Sequence, residues 1–180
     1  RSGDAPRAHE RGMAGGRTCA VNLVSVQLDI PPDCNLIAGQ AHFIKTVEDI
    51  AEIVATTVPS AGFGLAFCEA SGPCLVRTEG NDPVLIDAAL RNAERVGAGH
   101  AFFLLLQGAY PISLLNAVKQ CPEVCRVFCA TANPVQVIVA QADQGRGILG
   151  VVDGWSPRGV EDDAARAVRR SRGGIRWWSS

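Results

Sequence analysis

The eight residues 39–46, GQAHFIKT, nearly match the loop that binds phosphate groups in many nucleoside triphosphatases. That loop has the pattern G-x-x-x-x-G-K-[ST], and Gly39, Lys45 and Thr46 occupy three of its fixed positions. Its second glycine is replaced by Ile44, whose β-branched side chain restricts a backbone that must wrap around phosphate. The sequence pattern also predicts no apolar strand leading directly into Gly39. We therefore reject a phosphate-binding loop of this type.

The same stretch could still bind an anion. A helix is predicted to begin at Thr46, because Thr46 and Asp49 resemble a capping box and apolar residues follow at helical spacing. Its free N–H groups and positive dipole end would lie beside Lys45 and His42. From its position His42 could be functional or not, and a single histidine is more often structural or solvated. His100, which opens an apolar strand, is expected to be structural.

Polar side chains also stand where predicted strands end. Glu69 closes one apolar strand and Arg77 closes the next, while Asn133 links two later strands and Asp153 follows the run GILGVV. Each of them alone is typical of a cap or a turn. Ligands, however, tend to bind where strand ends converge. We therefore include these four residues among the candidate substrate-binding residues.

The predicted hairpin at residues 143–147 contains a further candidate. Arg146 lies between Gly145 and Gly147, so a guanidinium and accessible backbone N–H groups would occur together. This combination suits a phosphate group. The alternative is an ordinary hairpin tip with a solvated arginine.

The cysteines do not indicate a metal centre. The chain has seven, and Cys121, Cys125 and Cys129 recur every fourth residue. There is no C-x-x-C motif and no nearby histidine to complete a zinc site, so we predict no metal and interpret these cysteines as small core residues. The odd number and the spacing favour a reducing compartment.

Composition excludes several classes of protein. The chain has 180 residues, of which 47% are hydrophobic and 19% charged, and this is typical of one globular domain. A net charge of −1 provides no general attraction for nucleic acid or an anionic membrane. The longest apolar region, residues 100–118, is interrupted by Gln107, Gly108 and Pro111 before it could span a bilayer. With no secretory leader pattern, we expect a cytoplasmic protein without membrane or nucleic-acid partners.

Alternating and continuous apolar runs predict the secondary structure. Strands and helices interleave, but paired strands interrupt the alternation, which favours an α/β fold with a single compact domain and a mixed β-sheet with helices packed on it. The predicted order is strand 21–30, a loop to residue 45, helix 46–58, strands 63–70 and 74–78, helix 82–97, strand 101–106, helix 114–119, strands 124–132, 135–142 and 147–153, and helix 161–172.

The two ends differ from the rest of the chain. Residues 1–18 are expected to be a disordered extension, with Met13 as a plausible natural start. The globular domain is assigned to residues 19–163. Residues 164–180 form a basic tail with two tryptophans.

Several long segments, taken together and in order, resemble the family of adenosine-specific kinases. The resemblance runs nearly continuously from about Val21 to Glu161 and ends before the tail, where family members usually continue differently. The segments are GQAHFIKTVEDI, FGLAFCEASG, LVRTEGND, GAGH, NAVKQCPEVCRVFCATANPVQVIVA and GRGILGVVDGWSPRGVE.

This resemblance implies a compact α/β protein that binds adenosine or AMP in preference to ATP and carries a phosphorylated histidine, for which His42 is the best candidate. The first hypothesis is phosphoryl transfer through phosphorylated His42, with Lys45, Arg146 and the helix start neutralising charge and Glu69 or Asp153 binding ribose or orienting the ring. No cofactor is indicated, and the phosphoryl donor is not identified.

Two other hypotheses remain. The protein could be a sensor or carrier of adenosine or AMP without turnover, since the loop pattern is broken and no paired-carboxylate magnesium motif is evident. A more remote possibility is RNA contact by Trp177 and Trp178 in the tail. A homo-oligomer is expected, because sites at strand ends of short domains are often completed by a neighbouring subunit.

Overall fold

The computed structural model describes residues 20–171. The expected extension at residues 1–18 and the tryptophans of the tail therefore lie outside the described residues. The elements are β1 (Asn22–Gln27), β2 (Cys34–Ala41), α1 (Thr46–Thr57), β3 (Gly62–Cys68), β4 (Val76–Gly80), α2 (Pro83–Val96), β5 (Ala101–Gln107), a short 3-10 helix (Pro111–Ser113), α3 (Leu115–Gln120), β6 (Val124–Thr131), β7 (Val135–Ala142), β8 (Gly145–Asp153) and α4 (Asp163–Ser171).

The strands form two antiparallel sheets. The larger sheet has the order β4-β3-β5-β2-β6, and the smaller sheet has the order β1-β7-β8. In the larger sheet, β5 pairs with both β3 and β2, so it lies at the centre. This position explains why its sequence AFFLLL is apolar throughout, since both faces of a central strand are covered.

The two faces of the larger sheet lie in separate cores. On β5, Phe102, Leu104 and Leu106 pack with α1 and α3, whereas Phe103 and Leu105 pack with α2 and with the inner face of the smaller sheet. The strand's alternating side chains thus join two hydrophobic clusters. The molecule has three layers: α1 and α3, then the larger sheet, then α2 together with the smaller sheet.

Helix α2 begins and ends where its sequence predicts. Asp82 accepts hydrogen bonds from the backbone N–H groups of Val84 and Leu85, and Pro83 occupies the first helical position. Gly97 ends the helix in the left-handed conformation, with φ of 59°. The helix lies so close to β3 that a Cβ atom at Gly64 would stand 2.1 Å from the carbonyl carbon of Leu85.

The predicted fold class is confirmed: the chain is one α/β domain with helices packed on sheets. In detail, the strands divide into two antiparallel sheets rather than one mixed sheet. The predicted loop at residues 31–45 is wrong in part, because β2 occupies Cys34–Ala41 and lies between β5 and β6. Its sequence CNLIAGQA does not alternate, since both faces are buried and Gly39 must leave room for the ring of Phe102.

The C-terminal helix begins at Asp163, two residues later than predicted, and it is peripheral. Helix α4 covers Asp163–Ser171, and none of its residues is buried. An ion pair at 2.8 Å joins Glu161, which precedes α4, to Arg169 in the last turn of the helix. This contact links the two ends of α4. Between residues 20 and 171, no helix combines the length and apolar character that a bilayer crossing requires.

The approach of α2 to β3 yields the first prediction. Gly64→Ala should destabilise the protein by about 1–3 kcal/mol, because the added methyl group meets the helix backbone and not a movable side chain. Gly150→Ala is the matched control, since a Cβ at that strand glycine meets nothing within 4 Å; its effect should stay within about 0.5 kcal/mol. Urea unfolding measures both. Equal stability of the two variants would contradict this packing.

Candidate functional site

Two backbone hydrogen bonds at His100 bring three strand ends together. The N–H of His100 donates to the carbonyl of Cys68 at 2.7 Å, and its carbonyl accepts from the N–H of Ala41 at 2.9 Å. Cys68 ends β3, Ala41 ends β2, and His100 stands immediately before β5. The next residues along β3 and β2 are Glu69 and His42, so these two side chains and His100 meet at one end of the larger sheet.

A cavity of about 180 Å³ lies at this meeting point. Both histidines border it, so His100 joins the candidate residues of this cavity. The His100 ring stacks on Phe67, with ring centroids 6.0 Å apart and planes 9° apart. His42 is exposed, and its backbone is fixed by a 2.9 Å hydrogen bond from its N–H to the carbonyl of Glu123. The remaining wall residues are Phe43, Ile44, Glu69, Ala70 and Ser71.

Glu69 contributes a carboxylate that is held in place. Its side chain is 7% exposed, accepts a hydrogen bond from Arg77 Nε, and accepts another from the N–H of Leu75. The hydrogen bond from Arg77 holds the pKa of the Glu69 carboxyl below its usual range. Arg77 also lies 3.9 Å from Glu48 on α1. Arg77 is therefore engaged with two carboxylates, and it positions Glu69 at the cavity.

The start of α1 offers less positive charge than the sequence indicates. The predicted capping box is wrong, because Lys45 precedes the helix and Thr46 is its first residue. Thr46 is fully buried, and its hydroxyl and its N–H both donate to the carbonyl of Phe43. Lys45 forms an ion pair with Asp49 at 3.0 Å, and the hydrogen bond with Asp49 raises the pKa of the lysine. Lys45 itself is 61% exposed, so its ammonium group can exchange partners at little cost.

The glycine–arginine–glycine segment is not a hairpin tip. β7 and β8 are joined by Asp143 and Gln144 alone, and Arg146 lies inside β8 opposite Gln141. Arg146 Nη1 donates to the carbonyl of Arg95 at 3.0 Å, at the C-terminal end of α2 where positive charge is favourable. Arg146 and Gly147 border a different cavity of about 150 Å³, which includes neither histidine in its wall. Gly145 lies outside that wall.

Asn133 and Asp153 stand at the opposite end of the larger sheet. Asp153 accepts hydrogen bonds from Thr131 at 2.8 Å and from Asn133 at 3.0 Å, so the pair closes the turn between β6 and β7. Thr131 and Val124 are the two ends of β6, and Val124 pairs with Ala41 beside His42. Thr131 pairs with Leu36, which lies five residues before Ala41 on β2, so these two ends are roughly 17 Å apart at about 3.3 Å per residue. The structure does not bring Asn133 and Asp153 to His42.

The three regularly spaced cysteines do not meet either. Cys125 and Cys129 are four residues apart on β6, whereas Cys121 precedes the strand. Cys121 instead lies with Asp49 and Glu123, and its thiol donates to Glu123 at 3.0 Å. Burial, followed by that hydrogen bond, raises the pKa of Cys121 to about 11. The thiol therefore serves as a hydrogen-bond donor to the Glu123 carboxylate.

Phe67 and His100 border this cavity, although we did not predict them as site residues. The sequence contained a signal for both. Side chains two apart on a strand share a face, so Phe67 accompanies Glu69, and His100 shares the face of Phe102. The sequence pattern did not predict strand β2. Without that strand, the sequence could not show that His42 and His100 lie at the same end of the larger sheet.

The ion pair of Glu69 yields a pH prediction. A depressed carboxyl pKa contributes stability above the ordinary glutamate pKa of about 4.3, and this contribution is lost as the pH falls through the lowered value. Arg77→Met should therefore lower the thermal unfolding midpoint at neutral pH, and the difference from wild type should shrink on acidification. Glu48→Gln, which removes the exposed partner of Arg77, should leave the pH profile nearly unchanged. Parallel curves for wild type and Arg77→Met at every pH would contradict the role of Arg77.

Comparison with known proteins identifies the family. The family model described as adenosine specific kinase matches residues 26–172. The PH1918 protein from Pyrococcus horikoshii OT3 has a similar crystal structure, with a TM-score of 0.84 and 40% sequence identity, and the match covers 89% of this chain and 99% of that chain. A search of curated proteins finds no match. The family name implies a kinase. On the extent of the family match, this chain belongs to the adenosine specific kinase family.

Proposed function

We propose that the cavity between His42 and His100 binds adenosine or AMP, and that His42 transfers a phosphoryl group as a covalent intermediate. The observation that carries this proposal is the convergence of an exposed histidine, a second imidazole and an arginine-held carboxylate at one cavity. An exposed lysine stands three residues after His42. These are the groups that a nucleophile, a ribose contact and a phosphate contact require.

The chemistry follows two displacement steps at phosphorus. A lone pair on a ring nitrogen of neutral His42 attacks the phosphorus atom of an anhydride or acyl phosphate donor. The phosphorus–nitrogen bond forms, and the bond to the donor oxygen breaks, with the electron pair leaving on that oxygen. The 5′ oxygen of adenosine then attacks phosphorus, the electron pair returns to His42, and the hydroxyl proton passes to water. The product of the second step is AMP.

Glu69 and Lys45 have different roles in this proposal. The Glu69 carboxylate stays ionised because of Arg77, so it is a poor proton acceptor and a good hydrogen-bond acceptor for ribose hydroxyl groups. Lys45 can leave its exposed pair with Asp49 and approach the phosphoryl oxygens, where it neutralises developing charge.

The charge around the cavity favours adenosine and AMP over ATP. Glu48, Asp49 and Glu69 carry three negative charges, against the two positive charges of Lys45 and Arg77. A triphosphate would add several negative charges to this region. Gly39, the first glycine of the loop-like pattern, lies within β2 and is paired with β5 on one side and β6 on the other. It is therefore not part of a loop that could wrap around a phosphate group.

A binding protein without turnover is the second candidate. The observation that favours it is that Lys45 and Arg77, the two cations near the cavity, already form ion pairs with carboxylates. In this case adenosine or AMP would bind in the same cavity and His42 would serve as a contact. A turnover assay on the bound ligand distinguishes the two candidates.

The setting that we propose is a homo-oligomer in a reducing compartment, consistent with the cytoplasm. All six cysteines within the described residues are free. Large apolar side chains are exposed at Tyr110 and Ile112, which are 72% and 85% accessible, and such a surface suits a subunit contact. We propose a small-molecule ligand and no nucleic-acid or membrane partner.

The ligand preference is directly measurable. Isothermal titration should give tighter binding of adenosine and AMP than of ADP or ATP, because each added phosphate meets the net negative charge of the cavity rim. The difference in affinity between AMP and ATP should become smaller at high salt, where charge repulsion is screened. Tighter binding of ATP than of AMP, with or without magnesium, would count decisively against the proposal.

The role of His42 is tested by phosphorylation with phosphoramidate, a small reagent that phosphorylates histidine. The wild-type protein should gain an acid-labile phosphoryl group on the peptide that contains residue 42, as measured by intact mass and peptide mapping. His42→Ala should lose this adduct, whereas His100→Asn should retain it. Persistence of a stoichiometric adduct in His42→Ala would refute the assignment.

A further inference from the structure

We infer that His100, supported by Phe67, is the platform on which the purine base of the ligand stacks. This inference rests on the proposed function and assigns the base to a defined part of the cavity. It also separates the two histidines: His42 reacts with phosphorus, and His100 holds the base.

The backbone at His100 is held in a conformation that few residues adopt. Its φ is 62°, in the left-handed region that favours glycine. The hydrogen bonds to Cys68 and Ala41 fix this conformation from both sides. Gly99 also permits close contact, since a Cβ there would lie 2.8 Å from Cβ of Ala70. Strain of this kind persists where the surrounding structure enforces it, and it often marks a functional position.

The ring geometry suits stacking. Phe67 is 1% exposed, and its ring lies nearly parallel to the His100 ring in an offset arrangement. The half-buried imidazole of His100 borders the cavity as well. An aromatic ring backed in this way offers a flat surface to a nucleobase, and stacking on aromatic side chains is a general mode of base recognition.

The cavity wall also contains two exposed apolar residues. Phe43 and Ile44 are 51% and 40% exposed, although both are large hydrophobic residues. A purine base between them and His100 would cover this apolar surface on both sides. The volume of about 180 Å³ is smaller than the roughly 300–1,000 Å³ of sites that enclose whole drug-sized ligands. The cavity therefore accommodates the base, while the sugar extends along Glu69 towards His42.

Calorimetry on two variants tests the platform. Asparagine tolerates the left-handed backbone, so His100→Asn removes the ring with little change in the chain. It should weaken adenosine and AMP binding by the same factor, about tenfold. His100→Phe keeps an aromatic ring without a titratable nitrogen and should bind within about threefold of wild type. Thermal unfolding of both variants checks that they are folded.

The wild-type protein provides a second readout, in which binding is observed without a substitution at the site. The chain has three histidines, so the ring-proton signals in an NMR spectrum are few. Addition of adenosine should shift the His100 ring proton upfield through the ring current of the stacked base. The signal is assigned by its loss in His100→Asn.

The outcomes separate the inference from the proposed function. Wild-type protein that binds neither adenosine nor AMP overturns both. Wild-type binding with unchanged affinity in His100→Asn overturns the platform alone. Equal weakening in His100→Asn and in a His100→Phe protein that is as stable as wild type, and so retains the left-handed backbone, also overturns it, because the nitrogen atoms and not the ring face would then be required. An NMR shift at His42 without one at His100 has the same consequence.

Discussion

The pair of backbone hydrogen bonds at His100 is the constraint on which the candidate site depends. Through them the residue before β5 is tied to the last residues of β3 and β2, so three strands end at the same place. Each strand then contributes one polar side chain to a common cavity. Because these bonds are formed by the backbone, they fix the positions of Glu69, His100 and His42 independently of the side chains present.

Burial around this junction makes it rigid, while its outer border stays accessible. Phe67 and Phe102 are almost completely buried on the face covered by α1 and α3, whereas His42 and Lys45 are exposed. The ionised groups near the cavity are mainly carboxylates, and the two cations serve first to hold them. Under the proposed function, this arrangement favours a neutral nucleoside or a monophosphate, with charge supplied to phosphate only when Lys45 leaves Asp49.

Much of the fold, but less of the site, could be predicted from the sequence. The capping residues of α2 and the continuous apolar run of β5 were recognisable because local chemistry determines them. β2 was missed because a central strand with glycine and small residues shows no alternation. The omission had a direct consequence for the site, since His42 and His100 border one cavity only because β2 lies beside β5. Arg146 was misplaced for a related reason: the length of the hairpin is set by pairing between strands, which a glycine-rich segment does not specify.

A crystal structure with bound adenosine tests the central claim most directly. The account predicts the base against the His100 ring, a ribose hydroxyl within hydrogen-bond distance of Glu69, and the 5′ oxygen towards His42. Adenosine bound in the cavity beside Arg146, or in the cleft of about 430 Å³ between α1 and α3 that Glu52 and Cys121 border, would contradict it.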